Sequence, residues 1–355
     1  MSNKHHISFA NAINEAIDVA LNQDPSVLCF GLGVPDPKGV FGTTIGLQKK
    51  YGEERVFDMP TAENGMTGIA IGAAISGMRP IMTHQRLDFF LLAMDQVVNN
   101  AAKWHYMFGG EGNVPITIRL ILGRGWGQGP THSQNLQSWF AHIPGLKVVM
   151  PATPIDAKGL LLSSIFDPNP VIYLEHRWLH NSTGDVPEGD FRIPIGSANL
   201  LREGQEATVV AYSATVPEAL LAVDFLRTNH NIHCDLLDLR SISPMDWEKV
   251  FASVNKTGKI LVLDTGSSNN SYAGEIIARV TMNCWNSLKS PPQRIAMPDI
   301  PIPTSYALTK GLYPDSYTIA SRILEMLGSG IVPDELLASS SSDHDVPGKW
   351  FNGPF

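Results

Sequence analysis

Two titratable residues lie beside glycine-rich segments, where a side chain can come close to a bound molecule. Glu63 opens a predicted helix over 61–78 that contains three interior glycines, and His132 follows the glycine-dense loop GRGWGQGPTHSQ (123–134). A carboxyl group can share a proton with a ring nitrogen, and an imidazole can move protons near neutral pH. Each also has an ordinary explanation, since a Glu at a helix start is favoured by the helix dipole and such a His can be structural.

The glycines of the 61–78 helix indicate that another group packs closely against this helix. Glycine costs about 1 kcal/mol relative to alanine in a helix, so three of them imply the approach of another backbone or of a ligand. Packing against a neighbouring helix explains them at least as well.

Common catalytic signatures are missing from the sequence. It contains no His-Glu-x-x-His, Gly-x-Ser-x-Gly or Walker motif, and no Gly-x-Gly-x-x-Gly after a strand. The GRGWGQG segment resembles a dinucleotide loop in composition only, because its third glycine is misplaced and it leads to His132 rather than to a phosphate-binding helix. Ordinary metal and nucleophile mechanisms and nicotinamide binding are therefore not expected.

Composition narrows the class of partner. The chain has 355 residues, 43% of them hydrophobic, and a formal charge of −8 without a run of Lys or Arg, so nucleic acid is not an expected partner. No signal peptide and no membrane-spanning apolar stretch are recognised. Three cysteines lie far apart without a Cys-x-x-Cys pair, which suits a reducing cytoplasm and argues against a cysteine-bound metal.

Hydrophobic periodicity predicts strands that alternate with helices. In the first half, strands are expected at 27–31, 114–122, 146–150 and 170–175, and helices at 8–22, 61–78, 88–108 (with Asp88 as N-cap), near 134–142 and from Pro154. In the second half, strands are expected at 207–212, 233–239 and 259–264, and helices at 216–227, 244–254 and 272–287. This alternation predicts an α/β fold with parallel sheets covered on both faces.

The same pattern divides the chain into parts. Residues 1–185 are expected to form one α/β domain, 186–205 a linker, 206–327 a smaller α/β domain, and 328–355 an irregular tail.

Ordered sequence blocks resemble a known family. They are RVFDMPTAENGMTGIAIGAAISGMRPI (55–81), DFFLLAMDQVVNNAAKWHYMFGG (88–110), THSQ (131–134), HIPGLKVVMPATPIDAKGLL (142–161), DPNPVIYLEH (167–176) and DLRSISPMDWEKVFASVNKTGK (238–259). In this order they are similar to the β subunits of the E1 components of 2-oxo acid dehydrogenases of pyruvate and acetoin type, over about residues 8–325. The resemblance implies a transketolase-type pyrimidine-binding domain followed by a transketolase C-terminal domain.

The resemblance also implies roles for individual residues. Glu63 matches the glutamate that hydrogen-bonds N1′ of the aminopyrimidine of thiamine diphosphate and so favours its 4′-imino tautomer. Phe89 matches the aromatic residue that packs against the pyrimidine ring, and His132 matches an active-site histidine. His142 is a weaker candidate for an active-site histidine. In many family members a potassium ion lies at the positions of Ile116, Ser164, Ile165, Asp167 and Asn169, although Asp167-Pro168-Asn169 also suits a turn before a strand.

One part of the family's site is missing from the sequence. The family binds the cofactor's diphosphate through Mg²⁺ with a Gly-Asp-Gly motif, and the nearest match, Gly189-Asp190-Phe191, lies in the predicted linker. The resemblance therefore implies an α-type E1 subunit that supplies this motif, most simply in an α2β2 assembly with the cofactor at each α/β interface.

Four departures from the family leave the reaction open. They are Gly31-Leu32-Gly33-Val34 in place of Gly-Glu-Asp-Val, Arg86-Leu87 where an aromatic residue is usual, Asp264-Thr265 in place of an acidic pair, and a longer tail. The first hypothesis is an E1 subunit that acylates the lipoyl group of an acyltransferase. The second is a split, transketolase-like carboligase without a lipoyl partner. The third is a non-catalytic scaffold subunit, against which Glu63 and His132 argue.

Overall fold

The computed structural model describes residues 4–339 and 344–346 and shows an α/β fold. Its strands, numbered along the chain, are β1 (Lys4–Ser8), β2 (Val27–Gly31), β3 (Val56–Phe57), β4 (Arg79–His84), β5 (Thr117–Leu122), β6 (Lys147–Val149), β7 (Val171–His176), β8 (Thr183–Pro187), β9 (Asn199–Arg202), β10 (Thr208–Ala211), β11 (Asp235–Asp238), β12 (Ser241–Ser243), β13 (Ile260–Ser267) and β14 (Gln293–Met297).

Helices fill most of the connections between these strands. They are α1 (Phe9–Gln23), α2 (Leu47–Tyr51), α3 (Glu63–Ile75), α4 (Leu87–Phe90), α5 (Ala102–Met107), α6 (Gln137–Ala141), α7 (Pro154–Ile165), α8 (Thr215–His230), α9 (Trp247–Thr257), α10 (Tyr272–Cys284), α11 (Ser316–Met326) and α12 (Asp334–Ser339).

The larger sheet has seven strands in the order β12-β6-β7-β5-β4-β2-β3, and every pair is parallel except β12 with β6. Its central strand β5 is buried on both faces. Ile118 and Leu120 pack into the core that contains α3, α4 and α6, while Ile121 points to the opposite core with α1 and α7. The prediction of a parallel sheet covered on both faces is confirmed.

The smaller sheet has five strands in the order β14-β13-β10-β11-β9, of which only β9 is antiparallel to its neighbour. Val209 and Leu261 face the core that contains α8 and α11. Val210 and Val262 face the opposite way, and they belong to the same buried cluster as Ile118 of β5. One continuous hydrophobic core therefore connects the two sheets.

Several elements differ from those predicted from the sequence. The interval 186–205 contains the end of β8, which pairs with β1, and the whole of β9. Strand β12 lies beyond that interval in the chain, yet it extends the larger sheet at its edge. The tail contains the short helix α12 within its described part. Hydrophobic periodicity misses such strands because β8 and β9 are short and partly exposed, and β12 has only three residues.

The helix predicted over 88–108 is not continuous. It divides into α4, a 3₁₀ turn (Leu91–Ala93), a π-helical stretch (Gln96–Ala101) and α5. The N-cap is Arg86 rather than Asp88, whose carboxylate is used elsewhere. Widened π-helical turns are frequent at functional sites, and here the stretch packs against α3.

Candidate functional site

The predicted site residues follow the carboxyl ends of parallel strands. Glu63 comes after β3, Phe89 after β4 and His132 after β5. Strands β4 and β5 are neighbours in the sheet, and parallel neighbours deliver their following loops to one edge. This edge is where an open parallel sheet ordinarily binds its ligands.

Glu63 is the first residue of α3, and only 5% of its surface is exposed. The preceding Ala62 provides no side-chain cap. Within residues 4–339 and 344–346, no side chain or backbone group hydrogen-bonds the Glu63 carboxyl group. A carboxyl group without a protein partner on a nearly buried residue is suited to a hydrogen bond with a ligand.

Phe89 and His132 are brought together. Their rings meet edge to face with centroids 5.3 Å apart, and 42% of the Phe89 surface is exposed. The Nδ1 atom of His132 lies 3.2 Å from the Thr131 hydroxyl oxygen. No group in the described part of the chain bonds Nε2, which leaves this nitrogen for a substrate or partner.

The carboxylate of Asp88 positions the loop that carries His132. Its Oδ1 accepts hydrogen bonds from the backbone N–H of Gln134 at 3.2 Å and from the Gln134 side-chain amide at 2.9 Å. Because Asp88 precedes Phe89 and Gln134 follows His132 by two residues, this contact holds the aromatic ring and the imidazole in one arrangement.

A buried ion pair joins two neighbouring strands of the larger sheet, β5 and β7. Arg119 of β5 and Glu175 of β7 are fully buried and paired at 2.8 Å, and Arg119 also donates to the hydroxyl group of Thr43 at 3.0 Å. Burial alone would raise the pKa of Glu175, but the charge of Arg119 and hydrogen bonding to His180 hold it below its ordinary value. The pair therefore ties the 32–46 loop to the sheet.

Residues of the tail cover the glycine-rich loop. The backbone oxygen of Asp345 lies so close to Gly125 that a Cβ atom there would be 2.0 Å from it. His344 bonds the Thr309 hydroxyl group at 2.9 Å and packs on the ring of Tyr306. The loop is thus held between the body of the fold and the tail, a contact that the sequence did not indicate.

The positions matched to a potassium site lie in and around the turn after α7. Arg79 donates to the carbonyl oxygens of Ile165 and Asp167 at 3.2 Å each. The Asp167 carboxylate accepts from Lys147, and its other oxygen accepts from the backbone N–H of Asn169. The Asn169 side-chain oxygen is buried and has no partner in the described structure, so it could serve as a cation ligand.

His142 lies apart from the other candidates. It ends α6, is exposed, and lines a cavity of about 950 Å³ together with Trp139, Tyr272 and Arg279. Glu63, Phe89 and His132 do not line this cavity. The structure thus gives His142 no contact with the site at the strand ends.

Three residues at the site were not identified from the sequence as site residues. Phe41, Arg86 and Arg177 follow β2, β4 and β7 and meet at the same edge, with both guanidinium groups against the Phe41 ring. The positions of Arg86 and Arg177 directly after buried strands were the available signal, whereas Phe41 lies ten residues beyond the end of β2. Among residues 4–339, no helix is long and apolar enough to cross a membrane.

Comparisons with known proteins agree with this architecture. The chain matches the family models of the transketolase pyrimidine-binding domain over residues 5–182 and of the transketolase C-terminal domain over residues 196–319. It is similar in fold to a solved structure described as a split gene transketolase, inactive β4 tetramer, with a TM-score of 0.72, 20% identity, and coverage of 91% of this chain and 98% of that one.

Curated relatives are similar along nearly their whole length. The β subunit of the acetoin:2,6-dichlorophenolindophenol oxidoreductase of Cupriavidus necator is 40% identical over 91% of this chain and 98% of its own. The β subunit of the pyruvate dehydrogenase E1 component of Bacillus subtilis is 39% identical over 90% and 99%. The chain therefore belongs to the family of β subunits of thiamine diphosphate-dependent 2-oxo acid dehydrogenase E1 components.

Proposed function

We propose that this chain binds the aminopyrimidine half of thiamine diphosphate and completes, with an α-type subunit, the active site of a 2-oxo acid dehydrogenase E1-like enzyme. The observation that carries the proposal is Glu63, a residue only 5% exposed whose carboxyl group has no hydrogen-bond partner within the described residues. It fits a ring nitrogen of the cofactor, because a shared proton would satisfy it. In this proposal Phe89 lies against the pyrimidine ring.

When bound, thiamine diphosphate supplies the nucleophilic carbon and the electron sink needed to break the bond beside a 2-oxo group. Glu63 would hold a proton at its carboxyl oxygen and share it with the ring nitrogen of the pyrimidine. His132 offers Nε2 for proton transfer at the substrate, and its edge contact with Phe89 fixes the direction of the ring.

The diphosphate and Mg²⁺ are assigned to an α-type partner, with the simplest assembly being α2β2. The Gly-Asp pair at Gly189 and Asp190, one of two in the sequence, has its carboxylate bound to Arg192 at 2.9 and 2.8 Å. That carboxylate is thus already neutralised, and it lies outside the strand-end site. The pyruvate dehydrogenase and acetoin relatives are themselves named as subunits.

We also propose a bound cation and an acceptor for the acyl group. A potassium ion at Ile116, Ser164, Ile165, Asp167 and Asn169 would have a structural role and would use the free Asn169 oxygen. It would have to displace Arg79, which donates to the carbonyl oxygens of Ile165 and Asp167. The acceptor of the acyl group is proposed to be the lipoyl group of an acyltransferase.

The test of the proposed function is Glu63→Gln in the co-expressed pair of subunits. We expect thiamine-dependent turnover with an artificial electron acceptor to fall at least 100-fold while the assembly stays intact by size-exclusion chromatography. The matched control is Glu54→Gln, which removes an exposed carboxyl group nearby and should leave turnover unchanged. Wild-type rates in the Glu63 variant would remove this residue from the mechanism.

A second measurement tests the division of the site between two chains. Calorimetric titration of the isolated chain with thiamine diphosphate and Mg²⁺ should give weak binding, and the pair should bind at least 100-fold more tightly. Tight, Mg²⁺-dependent binding by this chain alone would contradict the proposal of a partner-supplied diphosphate site.

A further inference from the structure

An unpaired guanidinium group lies beside the proposed catalytic histidine. Arg86 follows strand β4 and only 6% of its surface is exposed. In the described ranges of the chain, no group accepts a hydrogen bond from Arg86, and its Nη1 atom is fully enclosed. Burying a charge without a partner is costly, so such a group is expected to receive an acceptor from outside the chain.

The geometry around Gly123 places this group at the active site. Gly123 directly follows the central strand β5, and a Cβ atom built on it would lie 3.6 Å from Arg86 Nη1, 3.6 Å from the backbone oxygen of His132 and 3.3 Å from Gln128 Oε1. These atoms therefore surround one small space. Both polar atoms of the Gln128 side chain are also buried without partners in the described structure.

The positive charge here is greater than one residue provides. The guanidinium carbons of Arg86 and Arg177 lie 5.4 and 4.8 Å from the centre of the same Phe41 ring. Burial lowers the pKa of Arg177 to about 10, and the charge of Arg86 contributes to this shift. Two carboxylates act on these cations: Asp88, which is hydrogen-bonded by Gln134, and Glu175, which is paired with Arg119.

Arg124 is a second buried guanidinium group in the same region, and its Nε and Nη1 atoms also have no hydrogen-bond partner in the described structure. Its guanidinium carbon lies 4.3 Å from the Trp178 ring centre and 4.6 Å from that of Tyr313, which encloses the cation between two aromatic faces. Among the described residues, Arg86 faces the ring of Phe41, whose centre is 5.4 Å from its guanidinium carbon. The two groups differ in their surroundings: Arg124 is enclosed between aromatic faces, whereas the Arg86 Nη1 atom faces the space beside Gly123 and His132, where a ligand can supply an acceptor.

We propose that Arg86, assisted by Gln128 and by the charge of Arg177, binds an anionic substituent of the substrate, a carboxylate or a phosphate remote from the reacting carbonyl group. This proposal rests on the proposed function and specifies its substrate class. A planar guanidinium group matches either oxyanion with two parallel hydrogen bonds, and the Gln128 amide can donate a third. The site selects substrates that carry a second acidic group.

Matched substrate pairs test the proposal in the assembled α/β enzyme. The donors 2-oxoglutarate and 2-oxopentanoate differ by a terminal carboxylate, and the acceptors glyceraldehyde 3-phosphate and glyceraldehyde differ by a phosphate. In Arg86→Met we expect the anionic-to-neutral ratio of kcat/KM to fall about 10- to 100-fold for one pair, the usual effect of losing a charge-assisted hydrogen bond. The affected pair identifies the anion.

A binding measurement tests whether Arg86 binds an anion without requiring turnover. Inorganic phosphate or malonate should raise the melting temperature of the complex, and the concentration for half the shift should rise at least 10-fold in Arg86→Met. Arg86→Lys keeps the charge without the planar pair of donors and should give an intermediate value. Arg227→Met removes an exposed arginine from α8 and should match the wild type.

The results separate this proposal from the one on which it rests. Equal responses of the wild type and Arg86→Met to phosphate and to malonate would overturn the anion site. Loss of the response in Arg86→Met together with full turnover in Glu63→Gln would leave the anion site standing and remove the proposed function.

Discussion

Asp88 and Gln134 join two loops that come from neighbouring strands. The Asp88 carboxylate receives both the backbone and the side-chain N–H of Gln134, at 3.2 and 2.9 Å. The sequence suggested that Asp88 caps a long helix, but the helix begins at Leu87 and the carboxylate faces the loop instead. The arrangement of Phe89 and His132 depends on this contact.

Asp88→Ala should therefore reduce catalysis more than stability. We expect kcat to fall roughly 10- to 100-fold through misplacement of His132, with a change in unfolding free energy of about 1–2 kcal/mol. Steady-state kinetics and urea melts of the assembled enzyme measure the two effects. The control Asp95→Ala removes an exposed carboxylate from the same segment, and an equal loss of kcat there would contradict the assignment.

Glu175→Gln should destabilise the fold strongly, because it leaves the Arg119 charge buried and uncompensated. A loss of about 3–5 kcal/mol in unfolding free energy is expected. The matched control is Glu275→Gln, whose partner Arg279 is about half exposed and should contribute less than about 1 kcal/mol. Similar losses of unfolding free energy in the two variants, measured by urea denaturation, would show that the buried pair contributes no more to stability than the exposed pair.

His84 makes stability depend on pH. Burial lowers its pKa from 6.5 to about 3, so below pH 6.5 the unfolded chain binds a proton that the folded chain does not. Its contribution to folding is complete above the ordinary pKa and is lost as the pH falls toward 3. His84→Phe should reduce the loss of unfolding free energy between pH 7.5 and 5.0 by roughly 2 kcal/mol.

The control for that experiment is His105→Phe, which alters an exposed imidazole. Urea melts at both pH values should show the same pH dependence in this variant and in the wild type. A His84→Phe profile parallel to that of the wild type would mean that the buried imidazole is not the titrating group.

Gly125→Ala tests the contact between the glycine-rich loop and the tail. Gly125 and Gly46 have the same φ of +77°, but a Cβ atom meets the Asp345 backbone oxygen at 2.0 Å in the first case and nothing within 4 Å in the second. Both variants should carry the strain of the left-handed conformation, about 1–2 kcal/mol. Only Gly125→Ala should also lower kcat, and equal kinetics in the two variants would refute a role for the tail contact.

The sequence predicted the elements that have a clear hydrophobic pattern or a capping residue. Strand β2 and helix α7 have the predicted starts, because a buried apolar run and the Thr153 cap, which accepts from the backbone N–H of Asp156, are local signals. The division of the 88–108 segment could not be predicted in this way. Its π-helical stretch depends on packing against α3, which is a tertiary contact.

Prediction of the candidate site from the sequence is also limited by contacts between distant segments. Glu63, Phe89 and His132 were found through a resemblance, and the structure adds that the latter two are in contact. Arg86 and the 31–34 segment were noted only as departures from a pattern. That the loop after β2 brings Phe41 against Arg86 becomes visible only when strands β2, β4 and β7 end at one edge.

Strand β12 has a consequence for any attempt to divide the protein. Its residues Ser241–Ser243 belong to the second half of the chain but form an edge of the larger sheet, and Gln137 of α6 donates a hydrogen bond to Asp264 of β13 at 2.6 Å. A fragment that stops before residue 206 would leave the β6 edge bare and the shared core open, inviting aggregation. Neither half is a module that can be transplanted by itself.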